Sequence, residues 1–595
     1  MGRVAGINAM RRKTLSHGIL SYLILVVTIF GLAVSFILSY SNVNLRYRGP
    51  LEFNSSAFLI LHLELLVFAI SAFVLADKAR LLALVFIFTS FLAKYLAPYY
   101  VFEGLVNYDT PIHYLSALYL RDFGLKPGYH YHSWPSWLIL NNMFSAVSGL
   151  KFPVDSSMVA LVSRFLIPLS IYLVSRRFLS SKKALLVAMM VLLVFEPFII
   201  HSCPQITAVA LTITAITVFL NWLHRYEHRW LYTLLILGVS VATYHAIMPI
   251  TLTLSILVVL VLYDVFPKLG VVKANTSTHH GNSKMWLVAT ILIALVIFYN
   301  IYITISVTRS IIKTLELIVE GGEARLDVYP LKIESPELRW QYDMIANIGR
   351  VALLLLLGIP STIVALSLLV KYLKSKLNTT ERIFFATAVV AGINALLFIV
   401  SGIILQTGLV ERLYQISYII SPTLTAHLYE NTTNTSSRRP NMWKSRKIIS
   451  LIILAGTFAF IPLSMFTAPS YITLYADTFG KPDITTALWT ANHISHSQVH
   501  LDGSGRLNHL IALYLYPSYV YGANLKITRT IELNALKNSY TFTPGTIITT
   551  RNPLTIGAST TQGLSDTMLS KYIENMPKHL NKVFSNNICE VFIPR

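Results

Sequence analysis

A chain of 595 residues that is 54% hydrophobic and only 13% charged, with a mean hydropathy of +0.60, is too apolar for a soluble protein of its size; it reads as a polytopic α-helical membrane protein. The formal charge of +21 would suggest nucleic acid in a soluble chain, but here Lys and Arg fall mostly in short links between apolar runs, which excludes a nucleic-acid partner. The two cysteines, Cys203 and Cys589, lie too far apart to form a spaced zinc or redox motif.

The basic start MGRVAGINAMRRK is followed by an apolar run at 15–40. That run is longer than a signal-peptide core and lacks a clear cleavage site, so it is expected to remain as the first transmembrane helix. Runs able to cross about 30 Å of hydrocarbon recur about thirteen times, at 15–40, 57–76, 80–99, 156–176, 183–201, 205–223, 230–247, 249–266, 285–305, 346–370, 383–404, 412–429 and 447–467. With MRRK cytoplasmic, every second link faces the cytoplasm, and those links carry basic residues: DKAR, RRFLSSKK, HRYEHR, KYLKSKLNTTER. Opposite links such as HSCPQI and LQTGLV carry almost none, as the positive-inside rule requires. Only HAIMP separates 230–247 from 249–266, and Pro249 could kink one long helix instead; two helices keep the basic segment after Pro267 inside. The expectation is a multi-pass plasma-membrane protein with a cytoplasmic N-terminus, a transmembrane domain at 1–467 and an extracytoplasmic domain at 468–595. Outer loops fall at 100–155 and 306–345.

Within the first outer loop, TPIHYLSALYLRDFG has apolar residues at helical spacing between Pro111 and Gly124, the pattern of a helix lying on the membrane surface. A second such helix is WPSWLILNNMFSAVSG, where Trp134 and Trp137 suit the interface. Between them lies LKPGYHYHSW. Asp109 stands four residues before His113, so the two share a face if the helix reaches back that far. Asp109 also fits as the N-cap of a helix starting at Thr110, and the sequence supports both roles. His130 and His132 are either metal ligands beside Asp109 or ordinary interfacial histidines. His245, next to Tyr244 in ATYHAIMP, lies at an outer helix end, where it faces a cavity or packs between helices. A role for Glu196, beside Pro197, stays open.

The loop at 306–345 begins with amphipathic helical spacing and carries EGGE as a joint; a lid and a plain spacer are both consistent with it. After 468 the chain turns polar, with turn signals at FGKPD, DGSGR and TPGT. ITTALWTANHI and RLNHLIALYLY have helical spacing, and KVFSNNICEVFI reads as strand, Asn-Asn turn, strand, giving a small α/β domain.

The order of parts, a hydrophobic helix, NYDTPIHY with its lone acidic residue, a surface helix, a Gly/Tyr/Pro stretch, a second surface helix and RFLIPLSIYLVSRRF, resembles the first outer loop of the GT-C superfamily of integral-membrane glycosyltransferases. VFEPFIIHSCPQITAVALTITAITVFL, SVATYHAIMPI, LVERLYQISYIISP and LNKVFSNNICEVFIPR are similar in layout to later parts of such proteins. The resemblance implies transfer of a sugar from a polyprenyl-phosphate-linked donor to a lipid, glycan or protein acceptor on the extracytoplasmic face, usually with inversion. Asp109, with His113, would then be catalytic, deprotonating or orienting the acceptor hydroxyl. His245, Tyr244, His130 and His132 would bind substrate. Arg412, next to Glu411, would hold the departing phosphate in a guanidinium fork; pairing with Glu411 or snorkelling to the interface are its alternatives. No metal site is implied; a divalent cation is admissible but nothing in the spacing demands one.

The departures narrow the reading. The chain has no Trp-Trp-Asp run, which oligosaccharyltransferases of the superfamily use to grip an acceptor sequon, and no Asp-x-Asp in the first outer loop, so a single-sugar transferase is favoured. The paired Asp-Glu of protein mannosyltransferases and lipid A aminoarabinose transferases is absent too. Two other classes compete. A transporter or flippase of lipid-linked saccharide would line a midplane path with charge, and a non-catalytic scaffold would have no use for Asp109.

Overall fold

The computed structural model describes residues 106–107, 110–125, 132, 134–150, 152, 154–194, 204–225, 227–245, 247–270, 282–299, 355, 358–399, 416, 419–427, 478–479, 481–493, 499–502, 511, 513–514, 527–528, 546–551, 580–585 and 589–594. The runs expected at 15–40, 57–76, 80–99 and 447–467 and the loop at 306–345 lie outside the described residues, as do Asp109, His130, Glu196, Glu411 and Arg412.

Among the described residues two helices come first. Helix α1 (Thr110–Phe123) has Pro111 in its opening turn and stops at Gly124, whose φ of 77° only glycine adopts without strain. Helix α2 (Pro135–Ser148) starts on a proline and ends at Gly149, which sits in the left-handed region and returns its N–H to the Ser145 carbonyl. The buried face of α2 carries Trp137, Leu138 and Asn141. On the other side Ile139, Met143 and Val147, four residues apart, are 46%, 60% and 88% exposed. That apolar outer stripe fits a helix lying in a membrane interface.

The bundle follows: α3 (Val154–Phe178), α4 (Ser181–Val194), α5 (Pro204–Arg225), α6 (His228–Tyr244) and α7 (Ile247–Leu260), then α8 (Asn282–Phe298), α9 (Gly358–Leu373) and α10 (Thr379–Ile399). A further helical segment covers 419–427. Helix α7 runs on through a π-turn at Val261–Val265 to Lys268. Among the described residues four stretches are long and apolar enough to cross a membrane: Met158–Arg177, Pro204–His224, Ile247–Lys268 and Thr380–Leu397. Of the α5 window 83% is buried, against 44% for α10, so α5 is the axis of the bundle and α10 keeps a face for lipid. Ser163 bonds Thr207 and Ser170 bonds Thr214 across α3 and α5 at 2.8 and 2.9 Å. These pairs recur every seven residues in the same direction, so α3 and α5 run parallel, with α4 returning between them.

The break between α6 and α7 falls at His245, as two separate helices require. His245 leaves helical geometry at φ −161°, ψ 144°, and its Nδ1 accepts the Ile247 N–H at 3.2 Å. Pro249 sits in the first turn of α7, where its missing N–H costs nothing. Within and just beyond the run expected at 346–370, the described helix spans Gly358–Leu373. At the far end of α7, buried Asp264 accepts Trp286 Nε1 at 2.8 Å and Lys268 Nζ at 2.9 Å. Helix α10 opens with a reciprocal capping box, Asn378 Oδ1 taking the Glu381 N–H and Glu381 Oε2 the Asn378 N–H.

Towards the C-terminus the described residues contain α11 (Lys481–His493) and a five-stranded sheet. Its strands, β3 (Val499–Asp502), β4 (Ile527–Thr528), β5 (Thr546–Arg551), β6 (Leu580–Ser585) and β7 (Cys589–Pro594), stand in the order β4-β3-β5-β7-β6. Strands β6 and β7 form the hairpin expected around the two asparagines. A separate two-residue ladder joins β1 (Val106–Asn107) to β2 (Thr478–Phe479), antiparallel.

Candidate functional site

Helices α1 and α2 pack on each other, and α2 packs on α6 and on the start of α3. The site is what this arrangement gathers at the α6–α7 break. Trp137, fully buried, fills the joint between α1 and α2 with Ala117 and Leu138, and Tyr244 leans on them from α6. His113 meets Trp137 edge-on, ring centroids 5.5 Å apart. Trp134 lies over His245 at 6.2 Å with the planes 22° apart. Beside them Ser136 donates to Thr243 at 2.7 Å, tying α2 to the last turn of α6. Four of the residues singled out in the sequence, His113, Tyr244, His245 and His132, are thus visible, and the first three converge on the two tryptophans.

His132 takes a different place. It is buried, with Nε2 3.3 Å from the Ser116 carbonyl and its ring 5.5 Å from Tyr119, so it faces the middle of α1. Among the described residues no three His, Cys, Asp or Glu side chains come together as a metal site. Asp109 lies outside the described residues but is bracketed by two that are described: Asn107 in β1, and Thr110, 1% exposed, at the start of α1.

Three features were not singled out in the sequence. Tyr114 donates its phenol hydrogen to Asp155 Oδ2 at 2.5 Å, a buried link from α1 to the first turn of α3. Burial first, and then that hydrogen bond, push the Tyr114 phenol well above its ordinary range. The Ser136–Thr243 bond is the second. The third is Arg164, 2% exposed within the span Met158–Arg177. Arg164 was visible as a lone cation inside VALVSRFLIPL; the other two join residues 41 and 107 apart and left no local mark.

No protein-family model matches the chain. No curated protein matches it either. Among solved structures it is similar to the oligosaccharyltransferase of Archaeoglobus fulgidus tethered to an acceptor peptide containing an NVT sequon, at 12% identity and a TM-score of 0.44, over 69% of this chain and 59% of that one. The archaeal oligosaccharyltransferase AglB from Archaeoglobus fulgidus, in complex with an inhibitory peptide and a dolichol-phosphate, gives 11% identity and a TM-score of 0.43 over 83% and 71% of the two chains. ArnT from Cupriavidus metallidurans bound to undecaprenyl phosphate gives 11% and 0.36 over 85% and 97%. The chain therefore spans about three fifths of the first of these proteins. With every TM-score below 0.5, fold and activity rest on the chain's own residues.

Proposed function

We propose that this protein is a membrane glycosyltransferase that moves a single sugar from a polyprenyl-phosphate carrier to an acceptor hydroxyl on the extracytoplasmic face. The observation that carries the reading is the convergence at the α6–α7 break: a surface helix that begins one residue after Asp109 brings His113 against Trp137, while Trp134 covers His245. Aromatic faces beside imidazoles, at the boundary of an apolar bundle, suit a sugar whose carrier tail lies in lipid.

In this mechanism Asp109 accepts the proton of the acceptor hydroxyl as that oxygen attacks the anomeric carbon. The bond from the anomeric carbon to the carrier phosphate breaks with inversion, and the phosphate leaves as a dianion on its lipid. Arg412, with Glu411 beside it, is assigned to that phosphate, because a guanidinium offers two parallel N–H donors to its oxygens. His113, Tyr244 and His245 line the sugar's side of the site, and His130 is assigned to substrate binding. No divalent cation is given a step. The acceptor is a lipid, a glycan or a protein. The C-terminal region from 468 is assigned to the same face as Asp109.

One observation favours transport of the lipid-linked sugar instead: Arg164 is a buried cation within a span. The other charged residues of the four described spans, Arg176, Arg177, Asp264, Lys268, Glu381 and Arg382, sit at the ends of their windows. One cation is not a path, so transfer is the reading adopted.

Undecaprenyl phosphate and dolichol-phosphate, held by two of the similar structures, set the probes. Purified protein in nanodiscs receives each carrier loaded with a labelled hexose, and host membrane extract supplies acceptors. Label should pass to the extract with release of carrier phosphate. Movement of intact lipid-linked sugar across the bilayer, with no bond broken, would establish the transport reading.

A further inference from the structure

The ladder between β1 and β2 is two residues long on each side, yet it joins parts of the chain about 370 positions apart. Val106 pairs with Phe479 and Asn107 with Thr478. Two residues after Phe479, at Lys481, begins α11, which packs against both β2 and β7 of the five-stranded sheet. One residue after Asn107 comes Tyr108, and then Asp109. A continuous line of contacts therefore runs from the C-terminal sheet through α11 and β2 into β1, and β1 also packs on α1.

We infer that β2 is a positioning strap for Asp109: the C-terminal region sets where the carboxylate stands by holding the backbone immediately before it. Covalent geometry carries the step. Consecutive Cα atoms are about 3.8 Å apart, so covalent reach keeps a residue two positions from a paired one within about 7.6 Å of it. Thr110 fixes the C-terminal side, being 1% exposed at the start of α1. On the N-terminal side the ladder does the same. Without it the segment leading to Asp109 would lose its backbone partner, and a carboxylate displaced by about 1 Å from a reacting hydroxyl can cost on the order of a hundredfold in rate. Position is thus supplied from a region whose sequence carries no catalytic signature. The role assigned to Asp109 rests on the proposed function; the pairing itself does not.

The test uses the full chain in nanodiscs with Cys203→Ser and Cys589→Ser as background. Paired residues on antiparallel strands have Cα atoms about 4.5–5.5 Å apart, within disulfide range, so Asn107→Cys with Thr478→Cys should cross-link on mild oxidation, read as a linked peptide by mass spectrometry. The oxidised chain should release carrier phosphate from undecaprenyl-phosphate hexose within about twofold of its reduced form, since only backbone pairing is used. Phe479→Pro should weaken the ladder and lower kcat by roughly tenfold or more with the donor KM within twofold, and should shift the acid limb of the pH–rate profile. Adding the cross-link to Phe479→Pro should restore the rate, which a misfolded chain would not allow. Failure to cross-link would overturn the pairing. A Phe479→Pro chain with unchanged kcat and pH profile would overturn the strap's role. If Asp109→Asn retains full turnover while the cross-link forms, the base assignment falls and the pairing stands.

Discussion

Tyr114 and Asp155 form the most constrained polar pair at the site. The carboxylate has no exposed surface, and the phenol reaches it at 2.5 Å from another helix. Tyr114→Phe keeps the ring contact with Phe152 but leaves a buried carboxylate short of a donor, a cost of about 1–3 kcal/mol. The effect should read as a lower melting temperature in detergent. Its pH dependence follows from the raised phenol. The native state holds this proton more tightly than the unfolded chain, so the contribution is complete below tyrosine's ordinary value near 10 and declines as pH rises above it. The stability gap between wild type and Tyr114→Phe should be flat from pH 6 to 9 and shrink above 10; a gap that widens there would contradict the assignment. Local sequence marked Asp109, His113 and His245 because each is a polar residue where apolar ones are the rule. Asp155 looked like any acidic residue at a helix start, and only the tertiary fold reveals its partner. His132, prominent in YHYH, has its Nε2 3.3 Å from the Ser116 carbonyl, a contact that spacing did not mark.

Among elements, the close approach of α6 and α8 depends on Gly238. A Cβ there would stand 2.3 Å from Leu292 Cδ2, a side-chain end that can shift by a little but not by a branched residue's width. Gly238→Val should destabilise by about 1–3 kcal/mol through overpacking. Leu292→Ala in the same chain should recover much of the loss, because the two positions share one space. An additive double mutant would show that the helices do not touch there. Helix ends were the most legible feature of the sequence where a glycine or proline marks them: Gly124, Gly149 and the prolines of α1 and α2 all stand at their ends. At the run expected at 346–370, the described helix ends at Leu373. VALLLLLGIPSTIVALSLLV carries Gly358, Pro360, Ser361 and Thr362 within its apolar run and no charge before Lys371. Its observed end lies past Lys371, whose ammonium pairs with Glu381 of α10 and so stays at the helix end. Ser375, at φ 54°, then turns the chain.

For the whole molecule, charge in the links implied orientation, and the same charges imply a labelling pattern. Ser148 at the end of α2 and Lys376 between α9 and α10 are both exposed. In intact cells carrying the cysteine-free background, Ser148→Cys should react with a membrane-impermeant maleimide, and Lys376→Cys should react only after permeabilisation. The opposite pattern would invert the molecule and move the site to the cytoplasm. The ladder of β1 with β2 adds what periodicity could not supply. Two residues per strand are too few to show alternation, and their partners lie at opposite ends of the chain. Val106 and Asn107, just before Asp109, therefore lie beside Thr478 and Phe479, just before α11.

The central claim is that Asp109 acts as a base and is more than a helix cap, and one substitution separates the two roles. Asparagine caps a helix about as well as aspartate, so Asp109→Asn keeps α1 in place while removing the group that takes the proton. In nanodiscs with undecaprenyl-phosphate hexose and acceptor extract, the account predicts an unchanged melting temperature, retained donor binding and a fall in sugar transfer of about 10²–10⁴-fold. Transfer at the wild-type rate by a folded Asp109→Asn protein would contradict it and leave Asp109 as a cap.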